Sequence, residues 1–252
     1  MNKNQPKNKD DLTACLEPTY FMDYDIPDVA EFAQKQCNRG DNEKDRAVKL
    51  YYAVRDEIRY DPYDFKNDRA NFKASSVLKK MSGYCVAKSI LFAAAARSQG
   101  IPARLGFADV KNHLSTSRLR TLMQTDVFMY HGYVELLLNN NWVKATPAFN
   151  LTLCTHFNVK PLEFDGIHDS LFHEFDTKGN RHMEYLKDHG HFSDLPFDTI
   201  LGTCMKTYPH FFAVTGNNAT SCNGDYPANG NYPGSVKTGD FHQEAADENR
   251  RE

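Results

Sequence analysis

The spacing of apolar residues in this 252-residue chain changes once, near Gly100, and that change constrains the fold more than any composition value. Before it the spacing is helical. Pro27 and Asp28 start a helix over Asp28–Cys37, and Asp41-Asn42-Glu43-Lys44 opens another in which Ala47, Leu50, Tyr51, Val54 and Ile58 share a face. That helix ends near Arg59-Tyr60, because Pro62 disfavours helical geometry at Asp61. A short helix covers Ser75–Met81, and a more apolar one runs from Cys85 to Gln99, stopped by Gly100 and Pro102. After Gly100 the pattern alternates: Ala103–Phe107, Val127–Leu138, then the turn Asn139-Asn140-Asn141 into a hairpin partner over Trp142–Ala145. Phe172–Phe175 and Arg181–Leu186 read as a second hairpin around the turn 176–180. Helices first and strands after predict an α+β fold rather than a parallel α/β sheet.

The two ends read differently. Residues 1–12 are rich in Lys, Asn and Asp, and residues 215–252 are rich in Gly, Asn and Pro with few large apolar side chains. Neither can bury enough surface to offset its ordering entropy, so both are expected to be disordered around one domain at 13–214. Asn150-Leu151-Thr152 and Asn218-Ala219-Thr220 match the glycosylation triplet, but no secretory signal accompanies them.

Thirty Lys and Arg against thirty-three Asp and Glu give a formal net charge of -3, which supplies no electrostatic drive toward nucleic acid or an anionic membrane. No apolar run approaches the length of a membrane span, and a cytoplasmic address follows as the expectation. Six cysteines at 15, 37, 85, 154, 204 and 222 are widely scattered, which suits neither a zinc knuckle nor a disulfide framework, so reduced thiols are expected.

Gly83-Tyr84-Cys85 puts a cysteine on the first turn of the apolar helix, behind a glycine. Helix N-termini carry partial positive charge and unpaired N–H groups, which lower a thiol's pKa and can hold an oxyanion. Position alone leaves a buried structural cysteine as the other reading. His131 lies in the strand Val127–Leu138, where alternation groups it with Met129, Tyr133 and Glu135 and Gly132 follows it. A lone strand histidine is more often a core residue than a catalyst, yet a helix-end cysteine facing a strand histidine is what thiol catalysis needs.

Those blocks resemble the transglutaminase-like superfamily, in the manner of bacterial transglutaminase-like domain proteins. The similarity lies in Gly83-Tyr84-Cys85, Leu91–Arg97, Gly100–Arg104, His131–Glu135 and Trp142-Val143, in that order, over a core of about 47–150. It implies a papain-like core in which the cysteine helix packs on an antiparallel sheet. It also implies Cys85 as nucleophile and His131 as base. The family's aspartate normally closes the motif W-V-x-x-D-P, and here Trp142–Pro147 places Thr146 at that position. A threonine can orient an imidazole but brings no charge. Asn150 is the alternative third member, and Asp165 and Asp169 are further options.

His168, His173, His182, His189 and His191 raise metal binding as a reading. No H-E-x-x-H or other compact spacing supports it, and Lys178 occupies a ligand position in what would be a calcium loop. The expectation is therefore no metal and no cofactor, with this region covering one end of the cleft. The leading function is acyl transfer or hydrolysis on a peptide, protein or small amide through a Cys85 thioester. A binding module that has lost turnover, marked by Thr146, is the second reading, and a histidine-rich metalloprotein the third.

Overall fold

The computed structural model describes residues 9–113, 115–171, 179, 182–215 and 239–250. Three helices lead: α1 (Lys9–Ala14), α2 (Pro27–Gln36) and α3 (Glu43–Glu57). Then come the two-residue strand β1 (Arg59–Tyr60), α4 (Ala74–Lys80), the equally short β2 (Ser82–Gly83) and α5 (Cys85–Ser98). The strands β3 (Ala103–Asn112), β4 (Val127–Leu138) and β5 (Asn141–Ala145) follow, with α6 (Ser117–Met123) between the first two. Beyond them lie α7 (Leu151–His156), β6 (Met183–Phe192), α8 (Phe197–Thr207), α9 (Pro209–Thr215) and α10 (Phe241–Asn249). The α+β expectation holds: one antiparallel sheet, in the order β5-β4-β3-β6, backs a helical layer.

Helix α5 is the centre of the molecule. Every residue from Cys85 to Arg97 is buried, with α2, α3 and α4 on one side and β3 and β4 on the other. Ala93–Ala96 present small side chains, which lets neighbours come close. Lys88, fully buried, solves a problem at the adjacent helix end. The last carbonyls of a helix have no partner within it; Lys88 Nζ donates to those of Arg55 (2.8 Å) and Ile58 at the end of α3. Burial pushes the Lys88 ammonium well below its ordinary range. Arg97, near the other end of α5, also donates to backbone carbonyls, those of Ala103, Glu17 and Ser193.

On the outer face of the sheet, Arg104, Glu135 and Trp142 tie three adjacent strands together. Arg104 Nε donates to Glu135 Oε2 (2.7 Å), and its guanidinium lies 3.9 Å from the Trp142 ring centre. The register of β3 with β4 runs from Ala103 opposite Leu136 to Ala108 opposite His131, then jumps to Val110 opposite Phe128. Met129 and Tyr130 therefore face the single residue Asp109, a β-bulge, with Tyr130 in the left-handed region at φ 54°. The alternation expected through Met129 is interrupted there. His131, Tyr133 and Glu135 keep it, opposite Ala108, Gly106 and Arg104.

Three expectations need correction. Met183–Leu186 are strand, but within β6, which pairs with β3; residues 172–178, the expected first arm and most of its turn, lie outside the described residues. The C-terminal stretch expected to be disordered contains α10, whose Phe241 and Ala245 are buried. Asp240 caps it, accepting from His242 N and Gln243 N, and Arg59 and Tyr63 bond to Asp240 and Glu244. Residues 216–238 lie outside the described part. At the other end, Lys9–Ala14 form a helix within a segment expected to be disordered as far as residue 12.

Candidate active site

Cys85 opens α5. Its predecessor Tyr84 is extended (φ -85°, ψ -177°) and places no side chain over the helix start, so the first-turn N–H groups stay available. The backbone N–H groups of Gly132, Val86 and Cys85 itself act on the sulfur in favour of the thiolate. Gly132 belongs to β4, so the strand that carries His131 reaches the sulfur through the very next residue. That approach requires a glycine: a Cβ there would lie 2.9 Å from Val86 Cα and 3.2 Å from Val86 N. The expected fall in the thiol pKa is not what the site produces. Burial dominates and pushes Cys85 up to about 11, while the three N–H groups pull it down by less. The thiol, not the thiolate, is the resting form at neutral pH.

His131 is buried and lines the same cavity as Cys85, a space of about 60 Å³. The far wall of that cavity comes from α8 and α9, through Ile200, Cys204, Tyr208 and Phe211. Tyr208 fastens this wall to β4: its Oη accepts from Met129 N (2.6 Å) and donates to Val127 O (3.0 Å).

Beside His131 the bulge is held by a pair of side chains, the buried Asp109 and the half-buried His189. Asp109 Oδ1 accepts from Tyr130 N (3.0 Å) and from His189 Nε2 (2.7 Å), and the Tyr130 ring stacks on His189 at 4.0 Å and 14°. Left-handed geometry is uncommon for a residue other than glycine. Here one carboxylate and one imidazole over-determine it. Sequence reading missed Asp109, Tyr130 and His189 in this role, since nothing local pairs residues eighty positions apart.

Thr146 follows β5 directly, is buried, and lines with His131 a second, smaller cavity of about 10 Å³. Its hydroxyl makes no hydrogen bond. Asn150, the alternative third member, has its side-chain amide engaged elsewhere. Its Oδ1 accepts from Tyr60 N (2.6 Å), and its Nδ2 donates to Ile58 O (2.8 Å) and to Arg55 O, the same carbonyls that Lys88 serves. Asp165 instead binds His168 and the N–H groups of Ile167 and His168, and Asp169 accepts from Lys144 N. The histidines are spread: His189 on Asp109, His168 on Asp165, His191 4.0 Å from Glu135, and His182 stacked on Phe149. His173 lies outside the described residues. Among the described residues no three His, Cys, Asp or Glu side chains converge as metal ligands, and no helix is long and apolar enough to cross a membrane.

Helix start, strand histidine and antiparallel sheet define a transglutaminase-like core. Residues 30–147 match the model of the transglutaminase-like superfamily. Among solved structures, a candidate cysteine protease from Cytophaga hutchinsonii is similar at 15% identity and a TM-score of 0.47, over 77% of this chain and 51% of its own. A candidate protease from Parabacteroides distasonis is similar at 14% identity and a TM-score of 0.36, over 60% of this chain and 32% of its own. This chain thus spans about half the length of the first and a third of the second. No curated protein gives a significant sequence match.

Proposed function

We propose that the chain is a cysteine-dependent acyl-transfer enzyme that hydrolyses an amide or peptide bond, with Cys85 as nucleophile and His131 as general base and acid. The observation that carries this reading is that Cys85 and His131 line one cavity, at the point where Gly132, adjacent to His131, closes on Val86 of the cysteine helix. Because the resting thiol is protonated, His131 takes its proton as Sγ attacks the acyl carbon. The imidazolium then returns that proton to the leaving amine, and water resolves the thioester. First-turn N–H groups of α5 stabilise the oxyanion in this scheme. Thr146 adds no charge behind the imidazole, so the turnover expected is modest beside that of a full triad. No cofactor enters this scheme, and a cytoplasmic, peptide- or amide-processing role fits it.

A binding module without turnover is the second reading, favoured by the 7% exposure of Cys85 and the idle Thr146 hydroxyl. Iodoacetamide alkylation, located by peptide mass spectrometry in wild type and His131→Ala, separates the two. The enzyme reading expects Cys85 to react faster than the buried Cys154 and Cys204 and to lose that advantage in the variant. Equal rates for the three thiols in both proteins would favour the binding module.

A further inference from the structure

The cavity beside Cys85 is closed by Phe65, Met123, Phe128, Ile200 and Phe211, and among the described residues no Asp, Glu, Lys or Arg side chain lines it. A charged group moved there from water meets no fixed counter-charge, so its lost hydration is not offset. The cavity already acts this way on the protein's own thiol, which burial holds in the neutral form. Its hydrogen-bonding side chains are uncharged phenols, Tyr60, Tyr84, Tyr130 and Tyr208, together with His131 and the thiols. Tyr208 Oη is committed to β4 on both sides. Tyr84, whose neighbour is the nucleophile, has a buried hydroxyl with no hydrogen-bond partner. Tyr84 and Cys85 line the same cavity. A buried hydroxyl left without a partner is costly, and a ligand that completes it gains accordingly.

We infer that this cavity is the acyl-group pocket of the thiol reaction and takes a short, uncharged, apolar acyl chain, with Tyr84 donating a hydrogen bond to one uncharged substrate oxygen. The inference rests on the reading of Cys85 as nucleophile. Its volume of about 60 Å³, where one water needs about 10–15 Å³ on the same measure, leaves room for roughly four or five heavy atoms. The pocket therefore selects on the acyl side by size and by absence of charge. A mostly apolar lining that carries fixed polar groups is the usual make-up of a small-molecule site.

The test uses two nearly isosteric esters, 4-nitrophenyl butyrate and 4-nitrophenyl monosuccinate, which differ by a terminal methyl against a carboxylate. In the reaction Sγ bonds to the acyl carbon, the thiol proton passes to His131, and the ester C–O bond breaks to release nitrophenolate. Water then cleaves the thioester and restores the thiol. Each rate is divided by that of free cysteine at the same pH, and acyl-Cys85 is located by peptide mass spectrometry. Butyryl is expected to be preferred by about tenfold or more. Tyr84→Phe is expected to slow butyryl transfer by about tenfold and to keep the preference. Equal normalised rates, or faster succinyl transfer, overturn the proposal. If neither ester acylates Cys85, the nucleophile reading fails, and the pocket is judged on its own in Cys85→Ala by thermal shift. A shift with butyramide and none with succinamate supports the apolar pocket. No shift, or equal shifts, overturns it.

Discussion

The carboxylate of Asp109 and the imidazole of His189, joined at 2.7 Å across strands β3 and β6, hold Tyr130 in a left-handed turn one residue before His131. The bulge re-aims the end of β4, so the pair sets where the histidine sits without touching the cavity that holds it. Asp109→Ala leaves the Tyr130 and His189 N–H groups without their acceptor. It is expected to cost about 2–4 kcal/mol in urea unfolding and to slow Cys85 alkylation, whereas Asp109→Asn, which keeps an oxygen, costs about 1 kcal/mol.

Gly132 is the point where β4 meets α5. In Gly132→Ala the new methyl would press on Val86 backbone atoms, which cannot swing aside as a side chain could. The expected loss is about 1–3 kcal/mol, with Gly132 N–H pushed from the sulfur. Denaturant unfolding reads the first effect and Cys85 alkylation the second. Unchanged stability would mean that strand and helix are not pressed together here.

Alkaline stability follows from the Cys85 thiol. Its folded pKa, about 11, lies above the ordinary value of about 8.5 for a free cysteine. A raised folded pKa contributes stability that is complete below about pH 8.5 and is lost as pH climbs through about 11. Cys85→Ala is therefore expected to lose about 1–3 kcal/mol less than wild type between those limits. Other buried thiols and phenols titrate in both proteins, so the difference between the two curves is the measurement.

Thr146 makes two opposite predictions. Thr146→Val removes a buried hydroxyl that bonds nothing, and is expected to be neutral or to stabilise by up to about 1 kcal/mol. Thr146→Asp restores a carboxylate behind His131. It is expected to raise Cys85 reactivity by about tenfold or more while lowering stability, since the gap there is barely one water wide. Alkylation rates and melting temperatures of the two variants decide both.

How much of this was legible depends on the range of the interaction. The limits of β4 and the start of α5 follow from local spacing, and both fall where the pattern puts them. The motif around Trp142 also pointed to the superfamily that residues 30–147 match. The bulge was hidden because its cause, Asp109, lies on another strand and its support, His189, on a third. The engagement of Asn150 was hidden because only tertiary structure shows that the carbonyls of Arg55 and Ile58 claim its amide. The thiol pKa went the other way because a helix start is a local effect and burial is not. Helix α10 did leave a local signal, Asp240 followed three residues later by Gln243, outweighed in the reading by the Gly- and Asn-rich run before it.

Tyr208 fastens α8 and α9, which lie beyond the matched residues 30–147, to the strand that bears His131. Cys85 and His131 thus lie within the matched residues, while one wall of the cavity beside them, from Ile200 to Phe211, is written later in the chain. On the proposed function, exchanging Phe197–Thr215 would reshape that wall and leave Cys85 and His131 where they are.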